Sequence, residues 1–181
     1  EEPVLSKTGT LSPEVDSNNV IKFENVEFSY GRETVLHDVS FSIDRGEKIA
    51  IVGETGAGKS TIAKLILRFY LPNKGDVKFY GESSKDISQI WARKNIAYVP
   101  QESFLFRGSI RDNLIYSNPE KIDLKSELEN IGLINWFERY ENGLEQDVGE
   151  RGANVSAGER QFIALLRAVL AKRQIIVFDE A

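Results

Sequence analysis

A phosphate-binding loop is indicated by the spacing G-x4-G-K-[ST], which is filled by Gly53, Glu54, Thr55, Gly56, Ala57, Gly58, Lys59, Ser60 and Thr61. Glycines let successive backbone N–H groups turn toward one anion, and the start of a following helix adds partial positive charge. Lys59 can reach the β- and γ-phosphates, and the Ser60 hydroxyl can ligate Mg²⁺. Since an ordinary glycine-rich turn does not require all these positions, the sequence predicts a nucleoside triphosphate site.

Two carboxylates, Asp179 and Glu180, follow the apolar run Ile175–Phe178. This pattern is typical of a buried strand whose tip places acids beside the bound phosphates. Asp179 would then hold Mg²⁺, directly or through water. Glu180 would polarise the attacking water. The alternative is a pair of solvated acids at the end of a strand.

A third candidate is the segment Val155, Ser156, Ala157, Gly158 and Glu159, which opens the helix before that strand. A serine followed by small residues at a helix N-terminus can cradle an anion. The same residues also fit a capping box, with Ser156 as N-cap and Glu159 three residues later. From the residues alone both interpretations stay open.

Alternating strands and helices would position these residues. Val20–Phe28 and Val35–Ile43 predict antiparallel strands, the second half-exposed because apolar residues alternate with serines. The continuous apolar runs Ile49–Val52, Ile96–Val99 and Ile175–Phe178 predict buried parallel strands covered by helices on both faces.

Helical composition from Ser109 to about Tyr140 interrupts this alternation and predicts an inserted helical subdomain over about residues 102–160. A helix over Ala157–Ala171 follows, with an apolar stripe of helical period. The run Asn73–Asp76 matches a guanine-reading motif, but it lies too soon after Lys59 for that role and predicts a turn.

Composition limits the classes of protein. The 181 residues are 41% hydrophobic and carry a net charge of −5 without a long basic run, which argues against a nucleic-acid partner. The absence of cysteine excludes disulfides and thiolate metal sites. The chain begins at Glu1 and contains no methionine, so we expect a piece of a longer polypeptide, with residues 1–19 as a linker from an upstream domain.

Together these motifs resemble the ATP-binding cassette (ABC) family over Val20–Ala181. The resemblance rests on the phosphate loop, a glutamine after a strand in Tyr98–Gln101, the signature-like Val155–Glu159 and the final acidic pair. It implies an α/β P-loop NTPase fold with a mostly parallel sheet flanked by helices, N-terminal antiparallel strands and the helical subdomain. It also implies ATP and Mg²⁺ as ligands and a second cassette as partner, whose ATP the signature segment would contact.

The resemblance assigns further roles. Tyr30 would stack on adenine, although an ordinary edge-strand tyrosine is the alternative. Gln101 would touch Mg²⁺ or the attacking water. The segments Gln101–Phe106, Gly108–Leu114 and Asp147–Gly152 are similar to the exporter branch.

In the exporter branch the corresponding segments face a transmembrane domain of the same polypeptide. Contacts through Phe104, Phe106 and Asp147–Gly152 are therefore implied, at the cytoplasmic face of a membrane. Simple loop packing is the alternative for the two phenylalanines.

Two departures from the family pattern qualify this interpretation. The signature, normally Leu-Ser-Gly-Gly-Gln, reads Val-Ser-Ala-Gly-Glu here, so we expect weakened engagement. The sequence stops at Ala181, and the family's switch histidine and last strands are expected to be missing, since the single histidine, His37, lies in an early strand.

The sequence therefore favours the ATPase domain of an ABC exporter. One alternative is a degenerate cassette that holds ATP without turnover as one half of an asymmetric pair, which the altered signature would suit. The other is a soluble ABC ATPase, which the exporter-like segments and acidic charge disfavour.

Overall fold

A computed structural model describes residues 9–116 and 123–179. The chain forms two compact units, residues 1–96 and residues 97–181. None of the helices in the described ranges is long and apolar enough to cross a bilayer.

The first unit is built on an antiparallel sheet of strands β1 (Asn19–Tyr30), β2 (Glu33–Asp44), β3 (Lys74–Phe79) and β4 (Glu82–Ser83). Their order is β2-β1-β3-β4, so β1 pairs on both sides. In β1 the buried Phe23 lies opposite Phe41 of β2 and Val77 of β3. The predicted pair of N-terminal antiparallel strands is confirmed.

The alternation predicted for β2 is also observed. Val39, Phe41 and Ile43 are half-buried, whereas Ser40 and Ser42 are exposed. Successive side chains of a strand point to opposite faces, so one face of β2 packs inward while the other meets solvent.

Two helices belong to the first unit: α1 (Lys59–Ile66), which follows the phosphate loop, and α2 (Gln89–Asn95). The apolar face of α1 buries Ile62, Leu65 and Ile66. Ser88 caps α2 by accepting a hydrogen bond from the backbone N–H of Trp91 at 3.1 Å.

The last residues of the predicted linker lie against the first unit. Leu11 forms a bridge with Ile87, and the carbonyl of the buried Pro13 accepts a hydrogen bond from the Trp91 indole at 3.0 Å. These contacts tie Leu11 and Pro13 to α2 and to the segment that precedes it. The linker boundary itself stays a prediction.

The strand predicted at Ile49–Val52 is wrong for this structure. The segment is irregular, and the exposed fractions of Ile49, Ile51 and Val52 are 47%, 41% and 87%. An apolar run encodes burial, but a strand also needs neighbours that take up its N–H and C=O groups. No strand within residues 9–116 and 123–179 pairs with this segment.

The second unit packs short helices around one long helix. Its helices are α3 (Ile110–Ile115), α4 (Leu124–Asn130) and α5 (Ala157–Leu170), with 3-10 turns at Ile134–Arg139, Gly143–Glu145 and Glu150–Gly152. Strands β5 (Ile96–Val99) and β6 (Ile175–Phe178) pair as a two-stranded sheet. The buried core is contributed by Leu105, Ile110, Leu114, Leu128, Phe137, Ile163 and Leu166.

The Asn73–Asp76 run occupies the start of β3 as well as the preceding turn. Asn73 Oδ1 accepts a hydrogen bond from the Ser29 backbone N–H at 2.7 Å, and Lys74 forms an ion pair with Glu27. These residues therefore connect β3 to β1, which leaves the guanine-reading interpretation without support.

Candidate nucleotide-binding site

The phosphate loop is an exposed turn that ends where α1 begins. Residues 53–57 are exposed, whereas Gly58 is buried. The N–H of Ala57 donates to the carbonyl of Glu54 at 3.1 Å, which folds the loop back on itself. Gly58 is the N-cap of α1 and offers no side chain to accept from the first turn. A ligand can therefore take the place that a capping side chain would fill.

Lys59 lies across the mouth of the loop. Its ammonium donates to the carbonyl oxygens of Gly53 at 2.8 Å and Glu54 at 2.7 Å. Both acceptors are neutral, so a phosphate would offer this cation a stronger, charge-assisted partner. These bonds hold Lys59 against the loop within the first unit of the chain, and the anion-binding role of both stays a prediction.

Glycine is required at Gly58 for two reasons. Its φ of 84° lies in the left-handed region, and an added Cβ would stand 2.6 Å from Leu36 Cδ2. Gly56 has a similar φ of 87° but nothing within 4 Å of an added Cβ. The buried glycine therefore fixes the approach of the loop to β2, whereas Gly56 only sets the turn.

Tyr30 ends β1 beside the start of α1. The Thr61 hydroxyl donates to the Tyr30 hydroxyl at 3.5 Å, and Lys64 Nζ lies 5.5 Å from the ring centroid. The ring makes edge contacts with Phe28 and Tyr70, at centroid distances of 4.8 Å and 5.4 Å. Tyr30 is thus next to the phosphate loop, as its predicted role requires, although packing in an aromatic cluster also explains its position.

Asp179 and Gln101 follow neighbouring strands of the second unit. The Asp179 backbone N–H donates to the Val99 carbonyl at 3.0 Å, which joins the C-terminal ends of β6 and β5. Gln101 is exposed two positions after Val99. Glu180 lies outside the described residues.

The contact between Tyr98 and Asp179 was not predicted from the sequence. Its hydroxyl donates to Asp179 Oδ2 at 3.1 Å. Burial and this carboxylate raise the pKa of Tyr98, so its hydroxyl stays protonated and able to donate. No motif signals this pair, because the two residues are 81 positions apart.

The signature segment begins α5 with a closed capping box. Ser156 Oγ accepts from the Glu159 N–H at 3.3 Å, and Glu159 Oε2 accepts from the Ser156 N–H at 2.8 Å. Val155 is buried, whereas Ala157 and Gly158 are exposed. The capping interpretation of these residues is therefore realised in this structure.

The electrostatics of Glu159 follow from this box. The Ser156 backbone N–H and hydroxyl, and then the nearby Tyr140 hydroxyl, lower the pKa of the Glu159 carboxyl. Burial and the Glu159 contact raise the pKa of Tyr140. An anionic carboxylate therefore closes one side of this helix start.

Asp147–Gly152 is bonded to both neighbouring segments. The Val148 N–H donates to the Gly108 carbonyl at 2.9 Å, and Arg160 of α5 donates to the Gly152 carbonyl at 3.2 Å. An added Cβ at Gly152 would stand 2.6 Å from Arg160 Cδ, so only glycine lets this arginine approach.

Phe104 and Phe106 form an exposed aromatic patch together with Tyr116, which the sequence did not single out. The rings of Phe104 and Phe106 meet edge to face at 5.1 Å, and Phe106 stacks on Tyr116 at 4.0 Å. Their exposed fractions are 47%, 36% and 61%. Three large rings in one exposed cluster exceed the scattered apolar residues normal for a surface.

The donor set proposed for Mg²⁺ fits that ion in chemical type. A serine hydroxyl, an amide oxygen and a carboxylate are hard oxygen ligands of the kind that Mg²⁺ prefers. Ser60 lies in the first unit, and Gln101 and Asp179 lie in the second. The described residues contain no group of three or more acidic, histidine or cysteine side chains placed to hold a metal ion.

The geometry of the loop and the order of the motifs agree with a comparison against known families. The profile of the family described as ABC transporter matches residues 36–181. The chain belongs to the ABC transporter family.

Individual relatives support the same assignment. Human "Iron-sulfur clusters transporter ABCB7, mitochondrial" is 40% identical over 166 residues, which cover 89% of this chain and 22% of that protein. The Bacillus subtilis protein "Uncharacterized ABC transporter ATP-binding protein YknV" is 42% identical over 167 residues, 91% of this chain and 28% of its own length. The ABC chain described here thus spans about a quarter of the length of these relatives.

A solved structure confirms the fold class. The structure described as a bacterial Atm1-family ABC exporter with ATP bound superposes with a TM-score of 0.83 at 33% identity, and covers 96% of this chain and 32% of its own. The predicted ABC-type ATPase fold and the similarity to ABC exporters are therefore confirmed, and the individual roles of the site residues stay predictions.

Proposed function

We propose that this chain is the ATP-binding and hydrolysing domain of an ABC exporter, in which ATP-driven pairing of two cassettes drives export across a membrane. The observation that carries the proposal is the exposed phosphate loop, whose following helix starts at Gly58 without a side-chain cap. The exporter relatives supply the context.

ATP is held, in this proposal, through its phosphates and its base. Backbone N–H groups of Gly53–Thr61 surround the phosphates, and Lys59 exchanges two neutral carbonyl partners for phosphate oxygens. Tyr30 offers a ring face to adenine at the edge of the loop. Base–aromatic stacking tolerates any base, so discrimination between ATP and GTP is expected to be weak.

Hydrolysis is assigned to the residues after β5 and β6. Glu180 accepts the proton of the attacking water, and Gln101 orients that water. Mg²⁺, when bound, supplies charge neutralisation at the phosphates. Ser60 and Asp179 present hard oxygens for it, and the Tyr98 hydroxyl fixes the orientation of the Asp179 carboxylate.

Partners are assigned to two surfaces of the second unit. The start of α5, with Ser156 and Gly158, faces the ATP of a second cassette. The aromatic patch of Phe104, Phe106 and Tyr116, with Asp147–Gly152, contacts a transmembrane domain at the cytoplasmic face of the membrane. The exposure of all three rings supports this second assignment.

Glu180→Gln in the exporter that contains this cassette tests the proposal. Loss of a general base typically lowers the rate about 10²–10⁴-fold, whereas ATP binding should persist and the paired cassettes should accumulate. Glu129→Gln is the matched control, because that carboxylate is exposed on α4 and pairs with Lys125. Turnover and pairing can be followed by phosphate release and by size.

Three other outcomes are informative. Turnover near the wild-type rate in Glu180→Gln would contradict the assigned base. Wild-type protein that binds ATP but never turns over would favour the degenerate cassette, to which the altered signature already points. Lost ATP binding in the variant would mean that Glu180 holds the metal.

A further inference from the structure

Asn113 is a fully buried polar side chain within the exporter-like segment Gly108–Leu114, and no individual role has been assigned to it. Its exposed fraction is 0%. Nδ2 donates to the carbonyls of Phe106 at 2.9 Å and Ser109 at 3.0 Å, while Oδ1 accepts from the Phe106 N–H at 2.9 Å. With the bond from Arg167 described below, all four hydrogen-bonding positions of the amide are used.

Arg167 of α5 completes this arrangement. Its Nε donates to the Asn113 carbonyl at 2.9 Å, one terminal nitrogen donates to Asn113 Oδ1 at 2.7 Å, and the other donates to the Phe104 carbonyl at 3.2 Å. The guanidinium carbon also lies 5.3 Å from the centroid of the Phe106 ring. One side chain thus contacts both phenylalanines of the aromatic patch.

The position of Arg167 along α5 links these contacts to the signature segment at the start of the same helix. Arg167 lies eleven residues after Ser156, so α5 separates these two residues by roughly 16 Å at about 1.5 Å per residue. A rigid helix can carry a displacement of its first turn to the backbone that supports Phe104 and Phe106.

We propose that Asn113 and Arg167 form a clamp that fixes the aromatic patch to the signature helix, and that Arg167 is the positioning residue through which the two respond together. The inference rests on the proposed function, since it links the surface assigned to the membrane domain with the surface assigned to the second cassette. Neither residue touches nucleotide in this account.

Lysine is not equivalent to arginine in this clamp. Arginine presents a planar fork that can bond three acceptors at once, whereas a lysine ammonium is a single flexible point charge. Arg167→Lys keeps the positive charge but cannot reach Phe104, the Asn113 carbonyl and the Asn113 amide together. The matched control is Lys172→Gln, which breaks an exposed ion pair between the end of α5 and Glu127.

The experiment compares wild type, Arg167→Lys and Lys172→Gln in the exporter that contains this cassette. Amide hydrogen exchange is measured over residues 104–107 and 156–160, without nucleotide and after trapping with MgATP and vanadate. MgATP affinity is measured in parallel. Asn113→Asp, which keeps the size of the side chain but loses both donated bonds, is the second variant should Arg167→Lys fail to fold.

Trapping is expected to protect residues 156–160 in all three proteins. At residues 104–107 the response to trapping should fall at least about threefold in Arg167→Lys, because mutations within such networks change coupling by a fewfold or more. MgATP affinity should stay within about twofold of wild type, and Lys172→Gln should behave as wild type.

An equal response at residues 104–107 in Arg167→Lys would overturn the proposal. So would faster exchange in both segments with a matching loss of MgATP affinity, since the clamp would then only support the fold. If the wild-type protein bound no MgATP, the proposed function would fail. Amide exchange measured without nucleotide would still test the clamp. Faster exchange at the Phe106 amide with unchanged exchange over residues 156–160 in Arg167→Lys would support it. Unchanged exchange at Phe106, or faster exchange in both segments, would overturn it.

Discussion

The two helices assigned to phosphate binding begin in opposite ways. Helix α1 starts at Gly58, in the left-handed region and without a side-chain cap, whereas α5 starts at Ser156 with both bonds of a capping box closed. At the start of α1 a ligand can accept hydrogen bonds from the backbone N–H groups of the first turn. At the start of α5 the side chains of the capping box already fill that role. Nucleotide affinity is therefore expected to reside at α1, with α5 adding contacts only when another cassette presents its phosphates.

Charge sharpens this contrast. The side chain at the mouth of the α1 loop is the cation Lys59, while the side chain that closes the α5 start is the anion Glu159. A phosphate meets attraction at the first site and repulsion at the second. Substitutions around the two helix starts test this difference.

Lys59→Ala should weaken MgATP binding about 100-fold or more, because two charge-assisted bonds to phosphate, each worth about 1.5–3 kcal/mol, are lost. The fold should survive, since the Lys59 ammonium donates to the carbonyls of Gly53 and Glu54 within the exposed loop. Calorimetric titration measures the change, with the exposed Lys85→Ala as control. Unchanged affinity would contradict the assignment of Gly53–Thr61 as the phosphate-binding loop.

Tyr30→Ala should weaken ATP and GTP binding alike, by about 1–3 kcal/mol, if the ring stacks on the base. Tyr30→Phe keeps the ring and loses only the long bond from Thr61, so it should bind as wild type does. Fluorescent-nucleotide competition distinguishes the two variants. If Tyr30→Ala bound as tightly as wild type, the tyrosine would only fill the aromatic cluster with Phe28 and Tyr70.

Gly58→Ala should destabilise the chain more than Gly56→Ala. Both substitutions place a Cβ in the left-handed region, at a cost of about 1–2 kcal/mol. Only the first also drives a methyl to 2.6 Å from Leu36. Thermal unfolding of the two variants checks this, and equal shifts in Tm would mean that the loop moves freely away from β2.

Ser156→Ala should lower the free energy of unfolding by about 1 kcal/mol, the usual value of an N-cap side chain. MgATP affinity of the unpaired chain should not change, because the start of α5 is assigned to another cassette's nucleotide. Denaturant unfolding and titration on the same sample separate the two effects. A large loss of MgATP affinity would contradict the claim that α1, and not α5, binds the nucleotide of the unpaired chain.

The smallest effect concerns pH. Because the pKa of Glu159 is lowered in the folded chain, its capping contribution is present above the unfolded pKa, near 4.3, and is lost as pH falls through the folded value. The stability difference between wild type and Glu159→Gln should therefore be largest near neutral pH and shrink in acid. A difference that grew on acidification would contradict the carboxylate's role.

Local patterns predicted much of the fold. The alternation in β2 reports which face of the strand is buried, and both β2 and α5 form where expected. The apolar stripe predicted for α5 is only partly right, because Leu166 and Leu170 are buried whereas Val169 is exposed. The strand predicted at Ile49–Val52 does not form, because an apolar run carries no information about which strands will pair with it. The family resemblance rested on motif order, which survives whether or not that segment forms a strand.

The site was predicted only where its residues are close in sequence. The loop Gly53–Thr61 and the start of α5 are contiguous motifs, although sequence alone did not decide between anion cradle and capping box at Ser156. The clamp was missed because Asn113 and Arg167 are 54 positions apart and meet only after folding. The stack of Tyr116 on Phe106 was missed for a related reason, since it depends on how α3 returns to the preceding loop.

The most direct test of the contrast between the two helix starts is a titration of MgATP into the dilute, unpaired chain, followed by amide NMR shifts. The largest changes are expected within Gly53–Thr61, while the amides of Ala157 and Gly158 should stay near their starting positions. Changes at Ala157 and Gly158 as large as those in the loop would contradict it, because the capped start of α5 would then bind phosphate on its own.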